Sequence, residues 1–378
     1  MDHKIAVIKG DGIGPEIVDA ALDVLEAIGR EFKHRFKFEY LLAGGAALEK
    51  EGSPLPKKTI RACKSCDAVL IGAFGDPKWD DQPVEKRPER AITGLREEFA
   101  LFAGLYPAII WKQLTGASPL KQNIIAGGLD ILIVRELSGG IYYGPRGTEM
   151  ISSKTSSSKI FDKMKGGKTI PEGRFAYDVE QYSEMEIRRI AKLAFDMAMK
   201  RDKRLTSVEK SDILDTSRLW RTVIEEVHTE YPEIALDHLY VEQAARMMIN
   251  NPHHFDVIIT GNMFGDILSG EASQMTGSAE MLPAASLGKG SFGLFGSSHG
   301  STTEHTGNNT ANPIAAILSA AMMLKYSLSL DDEAAAIEEA IGEFFSNNNR
   351  TPDIMITGAN SVGTSETGKL IAGLINKV

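Results

Sequence analysis

The chain has 378 residues, 43% of them hydrophobic and 25% charged, a globular balance that excludes disordered, collagenous and coiled-coil architectures. Its net charge of −9, from 42 basic and 51 acidic residues, argues against a nucleic-acid-binding surface, although a few local arginines can still dominate a cleft for a small anion. No stretch approaches the ~18 to 20 apolar residues of a membrane span, and strand-like Ile5-Ala6-Val7-Ile8 leaves no room for a signal peptide; the expectation is a cytoplasmic, two-domain protein with no membrane partner.

Strand and helix signals alternate along the chain. Residues 4–8 read as a strand, followed by Gly10-Asp11-Gly12-Ile13-Gly14-Pro15 and a helix over 16–29. Pro15 suits the first helical position, where a missing N–H costs nothing. Cys63 and Cys66 form a lone C-x-x-C before a strand at 67–71. With no second pair and no thioredoxin-like setting, two small half-buried side chains are expected there. Residues 131–134 form an apolar strand, and 182–200 an amphipathic helix with Ser183 and Glu186 as its capping box. Strands at 205–208, 235–241 and 255–260 alternate with helices at 218–231 and 243–250, and Pro313 opens a helix through Leu324. The pattern predicts an α/β fold with a mostly parallel sheet. Residues 151–173 carry five lysines and the pair Gly166-Gly167. That composition fits a disordered loop, or a projecting hairpin, since β-prone Arg174-Phe175-Ala176-Tyr177 follows.

The opening Gly-rich turn invites a dinucleotide-binding reading, but Gly10, Gly12 and Gly14 lack the third glycine of G-x-G-x-x-G. The run from Gly261 to Ser269 directly follows a strand, where ligands gather in parallel sheets. Asp266 is thereby placed to hold a divalent cation. Glu242 and Lys210 end the two preceding strands in the same way. Each alone reads equally as a helix cap; three chemically useful groups on successive strand ends point to a site. Arg96, Arg135 and Tyr142 add cationic and phenolic groups. A buried Arg135 needs an anion, either a ligand or an internal partner such as Glu136 or another carboxylate.

On these residues the chain resembles the β-decarboxylating dehydrogenases, the family of isocitrate, 3-isopropylmalate and D-malate/tartrate dehydrogenases, with the isopropylmalate branch nearest. The matching runs include Gly10 to Glu16, Pro77-Lys78-Trp79-Asp80, Leu95-Arg96, Arg135 to Gly144, Ser207 to Lys210, Gly261 to Ser269, His299-Gly300-Ser301 and Ala311-Asn312-Pro313, in order along the chain. The resemblance implies two α/β domains on one large mixed sheet, with a non-Rossmann cofactor site. Residues 1–101 and 277–378 would form the cofactor-side domain. Residues 102–276 would form the substrate and dimerisation domain, with an arm at 151–182. The implied reaction is NAD-dependent oxidative decarboxylation of a 3-alkylmalate dicarboxylate with Mg²⁺ or Mn²⁺, 3-isopropylmalate leading. D-malate, tartrate or 3-methylmalate, and a non-catalytic relative, are the alternatives. Lys210, with a pKa depressed by burial or positive charge, would take the hydroxyl proton, and Tyr142 would return a proton to carbon. Arg96 and Arg135 would clamp carboxylates; Asp266 and Glu242 would bind the metal. Lys210 and Glu242 would be donated across a homodimer. His299, Gly300, Ser301 and Asn312 would line the cofactor pocket, and Glu304 would favour NAD by repelling a 2′-phosphate.

The sequence departs from that family pattern at the site. Tyr106 stands where a third arginine is usual, Gly270 where a metal aspartate is, and Asp212 where an asparagine is. Ile92 and Thr93 replace two leucines of the substrate pocket. A hydroxyl at Thr93 would accept a smaller or more polar substituent.

Overall fold

Aliphatic runs with few polar interruptions set the centre of the molecule. The computed structural model describes residues 1–151, 172–297, 300–301 and 305–375. In chain order the elements are β1 (Asp2–Ile8), α1 (Gly14–Glu31), β2 (Arg35–Tyr40), α2 (Gly45–Glu51), α3 (Lys57–Cys63), β3 (Ala68–Ile71), α4 (Arg90–Glu98), β4 (Ala103–Ile110) and β5 (Leu129–Glu136). A hairpin follows, β6 (Arg146–Ile151) and β7 (Gly173–Asp178). Next come α5 (Glu184–Met199), β8 (Arg204–Glu209), α6 (Asp215–His228), β9 (Ala235–Tyr240), α7 (Val241–Asn250), β10 (Val257–Thr260) and α8 (Asn262–Met275). The chain closes with β11 (Pro283–Leu287), β12 (Gly293–Ser297), α9 (Ile314–Leu328), α10 (Asp331–Ser346), the short pair β13 (Asn349–Arg350) and β14 (Asn360–Ser361), and α11 (Thr364–Ile375).

Ten strands form one sheet in the order β2-β1-β3-β12-β11-β4-β5-β10-β8-β9. Pairing is parallel within β2-β1-β3-β12 and within β5-β10-β8-β9. The central strands β11 and β4 join the flanks through three antiparallel ladders. The flanks therefore run in opposite senses, and their carboxyl ends open at opposite edges. Strands such as β3 and β10, buried at every position, are covered on both faces, which is why they read as unbroken apolar runs. α9, apolar nearly all round, packs on β11 and β12 and against α1 and α10, as a helix without a polar face must.

The expected elements form, with ends shifted by a few residues. The Ser183–Glu186 capping box is present, with Ser183 N–H donating to Glu186 at 2.8 Å. β6 and β7 pair antiparallel from Arg146–Asp178 to Ile151–Gly173, so the chain enters and leaves the lysine-rich segment as a hairpin; residues 152–171 of the expected arm lie outside the described residues. Cys63 and Cys66 are free and more deeply buried than expected, at 0% and 8% exposure. Burial pushes the Cys63 thiol up to about 12, which keeps it protonated and unreactive. Among the described residues no helix is long and apolar enough to cross a membrane.

Candidate active site

The register of the parallel flank sets out the site. Thr260 lies level with Arg135 on one side and Val208 on the other, and Glu209 lies level with Tyr240. The segments that leave β5, β10, β8 and β9 thus emerge side by side at one edge, and they carry Arg135, Asp266, Lys210 and Glu242. Neighbouring strands are about 4.8 Å apart, so Arg135 and Lys210 stand about two strand spacings from each other.

The first cluster is built around Arg135, 6% exposed. Its Nε and Nη2 donate to Asn262 Oδ1 at 3.0 and 2.9 Å, and Nη1 pairs with Asp266. The backbone makes room for it, since a β-carbon at Gly265 would lie 2.6 Å from Arg135 Cγ. Asn262 is itself fixed by donating Nδ2 to Gly139 O at 3.0 Å and its backbone N–H to Tyr182 Oη at 2.7 Å. Tyr142 donates to the other Asp266 oxygen at 2.7 Å. Burial first, then the bond to Asp266, pushes the Tyr142 phenol up to about 12; it is a proton donor, never a phenolate, near neutrality. Asp266 is the fifth residue of α8, whose cap is Gly261, so the helix-cap reading of Asp266 does not hold. The internal partner of Arg135 is Asp266, whereas Glu136 turns away to the Ser138 and Gly139 N–H groups at 2.8 and 2.6 Å.

The second cluster is Lys210, whose Nζ donates to Glu242 at 2.8 Å and Asp212 at 3.0 Å. Those two carboxylates raise the Lys210 pKa, and the bond from the ammonium in turn lowers that of Glu242. The depressed lysine pKa expected from the sequence is therefore not found within one chain, where the ammonium faces two acids that both raise it. Glu242 opens α7 as its second residue, where a carboxylate also suits the helix dipole.

α4 approaches the first cluster from the other flank. Arg96 donates to Ser286 Oγ of β11 at 3.1 Å, and Ala103, at the start of β4, lies level with Glu136. Thr93 Oγ1 accepts from Arg90 Nη1 at 2.8 Å, and Arg90 makes a forked pair with Glu97 at 2.8 Å for each bond. Tyr106 is buried at 3% exposure, and its ring covers Gly104, which lies level with Arg135. Tyr106 thus stands beside the substrate-side guanidinium without supplying a second one.

At the opposite edge the loops after β1, β3 and β12 converge. Ser301 N–H donates to Phe74 O at 3.0 Å and Ser301 Oγ to Asp11 O at 3.0 Å. Asp11 accepts the Gly45, Ala46 and Gly75 N–H groups at 2.9, 2.9 and 3.2 Å. Glu16 accepts those of Gly307 and Asn309 at 2.5 and 3.1 Å. Gly12 is required here, since a β-carbon would lie 2.0 Å from Ser301 Oγ. This crossing of β1 and β3, from which the chain winds to either side, is the crevice that open α/β sheets use for nucleotides. Gly300 and Ser301 are at its rim; His299 and Glu304 lie outside the described residues. Asn312 differs from expectation. The residue is 0% exposed, with Nδ2 donating to Asp353 at 3.1 Å, Oδ1 accepting from Ile314 N–H at 3.0 Å and its own N–H donating to Glu280, so its side chain and its N–H are both engaged within the chain. Sequence reasoning passed over Asn262, Tyr182, Asp11 and Glu16 as site builders. Asn262 lies within the run following β10, Asp11 within the opening Gly-rich turn and Glu16 in the first turn of α1, but which partner each would meet depends on long-range packing.

A buried arginine and an exposed tyrosine share one carboxylate, a lysine sits on a second, and a tied-down loop crevice lies at the opposite edge, groups of the kind an enzyme acting on a carboxylate substrate uses. The family model for isocitrate/isopropylmalate dehydrogenase matches residues 4–371. The 3-isopropylmalate dehydrogenases of Clostridium acetobutylicum and Aquifex aeolicus are 48% and 47% identical to the chain, over 98% of it and 98% and 97% of their own lengths. Among solved structures, the isocitrate dehydrogenase of Methylococcus capsulatus superposes with a TM-score of 0.82 at 30% identity, covering 99% of both chains. The β-decarboxylating dehydrogenase of Thermococcus kodakarensis, apo form, does so with 0.76 at 30% identity, covering 99% of this chain and 96% of its own. The chain belongs to the isocitrate/isopropylmalate dehydrogenase family and is a β-decarboxylating dehydrogenase.

Proposed function

We propose that the enzyme oxidises and decarboxylates 3-isopropylmalate to 4-methyl-2-oxopentanoate and CO₂, the oxidative decarboxylation of leucine biosynthesis, as a homodimer using NAD and Mg²⁺ or Mn²⁺. The observation that carries the reading is the pairing of Tyr142 and Arg135 on Asp266, which gathers a carboxylate clamp, a phenolic proton donor and a metal-type carboxylate at one strand edge. Hard oxygen donors such as Asp266 and Glu242 suit Mg²⁺ or Mn²⁺. Among the described residues of one chain no three acidic, histidine or cysteine groups converge. The donor set therefore fits the ion with Asp266 from one subunit and Glu242 from the other.

When bound, the divalent ion supplies charge stabilisation at the substrate's oxygens, and NAD supplies the hydride acceptor. The chain's own groups do the rest. Arg96 and Arg135 orient the substrate carboxylates. Lys210 takes the hydroxyl proton as the C–H hydride leaves and the carbonyl forms. Were Glu242 to hold the metal, one of the two acids that favour the charged lysine would be withdrawn, which favours the neutral amine that proton acceptance requires. The C–C bond to the β-carboxyl group then breaks, CO₂ departs, and its electron pair is left in an enolate. Tyr142, kept protonated, delivers its proton to carbon. The cofactor-side segments 1–101 and 277–378 and the substrate-side segment 102–276 would close on this site as two domains, with the 151–182 arm tying the subunits.

An NADH-formation assay with Mg²⁺ or Mn²⁺ on 3-isopropylmalate, 3-methylmalate, D-malate, tartrate and isocitrate tests this. Highest kcat/KM on 3-isopropylmalate is expected. Preference for D-malate or tartrate would move the substrate assignment to a smaller acid, as the Thr93 hydroxyl and the absent arginine at Tyr106 would allow. No turnover from a folded dimer would overturn the reading.

A further inference from the structure

Behind Lys210 lies a set of groups that neither clamps substrate nor holds metal in the scheme above. Glu209, the last residue of β8, is 2% exposed. One of its oxygens accepts from Arg221 Nη2 of α6 at 2.6 Å, and the other accepts the Ser211 backbone N–H. The carboxylate thus grips the backbone just past Lys210. The same turn is tightened by the Leu214 and Ile213 N–H groups on Lys210 O at 2.9 and 3.2 Å. The Lys210 ammonium and the Arg221 guanidinium carbon lie 5.1 and 5.9 Å from the centroid of one ring, Tyr240. Tyr240 ends β9 and donates its N–H to Gln243 Oε1 at 3.3 Å, at the head of the helix that carries Glu242.

We propose that Arg221 is a positioning residue which, through Glu209 and Tyr240, holds the Lys210 turn and the Glu242 helix in register. The inference rests on the reading of Lys210 as proton acceptor. Lysine is a point charge on a flexible stem, so its reach must be set by what surrounds it. The backbone beneath it is fixed by Glu209, and the side chain lies along a ring whose face attracts cations. Arg221 touches both devices, the Glu209 carboxylate and the Tyr240 ring. A planar guanidinium can hydrogen-bond a carboxylate along its edge while presenting its face to a ring, a combination an ammonium cannot make. Removing it leaves Glu209 as a buried charge without its cation, free to release the Ser211 N–H.

The test compares Arg221→Gln, Arg221→Lys, Glu209→Gln and Glu209→Asp with Lys210→Met in the full-length dimer. The readouts are kcat, KM, NAD affinity by fluorescence titration and thermal midpoint. Arg221→Gln and Glu209→Gln should lower kcat about 10- to 100-fold while KM and NAD affinity stay within about twofold. Arg221→Lys should keep most of that loss, and Glu209→Asp should recover part of the rate. Added to Lys210→Met, Arg221→Gln should reduce the residual rate no further, because groups acting as one unit are not additive. A lower thermal midpoint with unchanged kcat per folded dimer would make the network merely structural and overturn the proposal, as would a raised KM at full kcat. If Arg221→Gln does not fold, the isosteric Glu209→Gln carries the same expectation. Full turnover by Lys210→Met would instead remove the base assignment itself, a result separable from wild-type kcat in the Arg221 variants beside a dead Lys210→Met.

Discussion

Gly270 stands one helical turn beyond Asp266 on α8, and a β-carbon there would meet nothing within 4 Å. Residues four apart share a helix face, so an aspartate at this position would put a second carboxylate beside the first. Gly270→Asp is expected to tighten Mn²⁺ binding about tenfold or more, read by calorimetric titration, since divalent affinity rises with ligand charge count. An unchanged dissociation constant would mean that the position faces away from the ion. Gly270→Ala, the control, should add about 0.5 to 1 kcal/mol of stability by removing a mid-helix glycine and leave metal affinity alone. Glu280 offers a different kind of test. Burial pushes its carboxyl up to about 7, while it accepts the Asn312 N–H at 2.5 Å. Between about pH 4.5 and 7 the folded chain keeps a proton that the unfolded chain has released, so this group's contribution falls as pH rises through that window and levels off above it. Glu280→Gln should therefore gain about 1 to 2 kcal/mol relative to wild type on going from pH 5 to pH 8, discounting for partial exposure. Parallel urea-unfolding pH profiles for the two proteins would refute it. The groups that sequence reasoning placed best at this scale, Arg135, Asp266, Lys210 and Glu242, are those whose strand ends could be counted. The direction of the Lys210 pKa was not legible, because it depends on two acids reaching it from outside its own strand.

Elements were legible where burial leaves a period. The capped helix α5 and the all-apolar β10 announce themselves, one by 3.6-residue repetition and the other by unbroken Val257-Ile258-Ile259. β4 and β11 do not. Ala103–Ile110 carries Gly104 and Pro107, and Pro283–Leu287 is mostly small residues, so neither has strand-like chemistry of its own. Their pairing is imposed by the neighbours, which is how a parallel-looking sequence yields a sheet that reverses at its centre. Arg350 is similarly silent in the sequence and decisive in the fold. It is 2% exposed, and among the described residues it is held by backbone carbonyls; its Nη1 donates to Phe345 O and Asn349 O at 2.9 and 2.6 Å, and its Nη2 to Gln113 O at 2.7 Å. It closes the carboxyl end of α10 and joins it to the segment between β4 and β5. Arg350→Met should cost about 2 to 4 kcal/mol by leaving buried carbonyls unpaired, measured as a shift in the urea midpoint. A loss below about 0.5 kcal/mol would show that the carbonyls find other donors.

On the proposed reading each chain carries two half-sites. Lys210 bonds Glu242 and Asp212; Asp266 bonds Arg135 and Tyr142; none of these contacts links the two groups. Exposed apolar side chains lie on the segments that follow these strands: Ile213 at 67%, Ile249 near the far end of α7 at 44% and Ile267 on α8 at 59%. Association between chains covers groups of this kind, and in the proposed homodimer a two-fold interface would bring one chain's Lys210 and Glu242 to the other's Asp266. The consequence is complementation. Lys210→Met and Asp266→Asn homodimers should each be inactive, because each site lacks one member. After subunit exchange, a heterodimer places both substitutions in one site and leaves the other intact. Random mixing makes half the dimers heterodimers with one working site in two, so activity should recover to about a quarter of wild type. Recovery must follow exchange, appearing at the rate at which differently tagged subunits co-purify. If exchanged dimers stay silent, Lys210 and Asp266 serve the same site from the same chain, and the half-sites must instead be brought together by motion within one subunit.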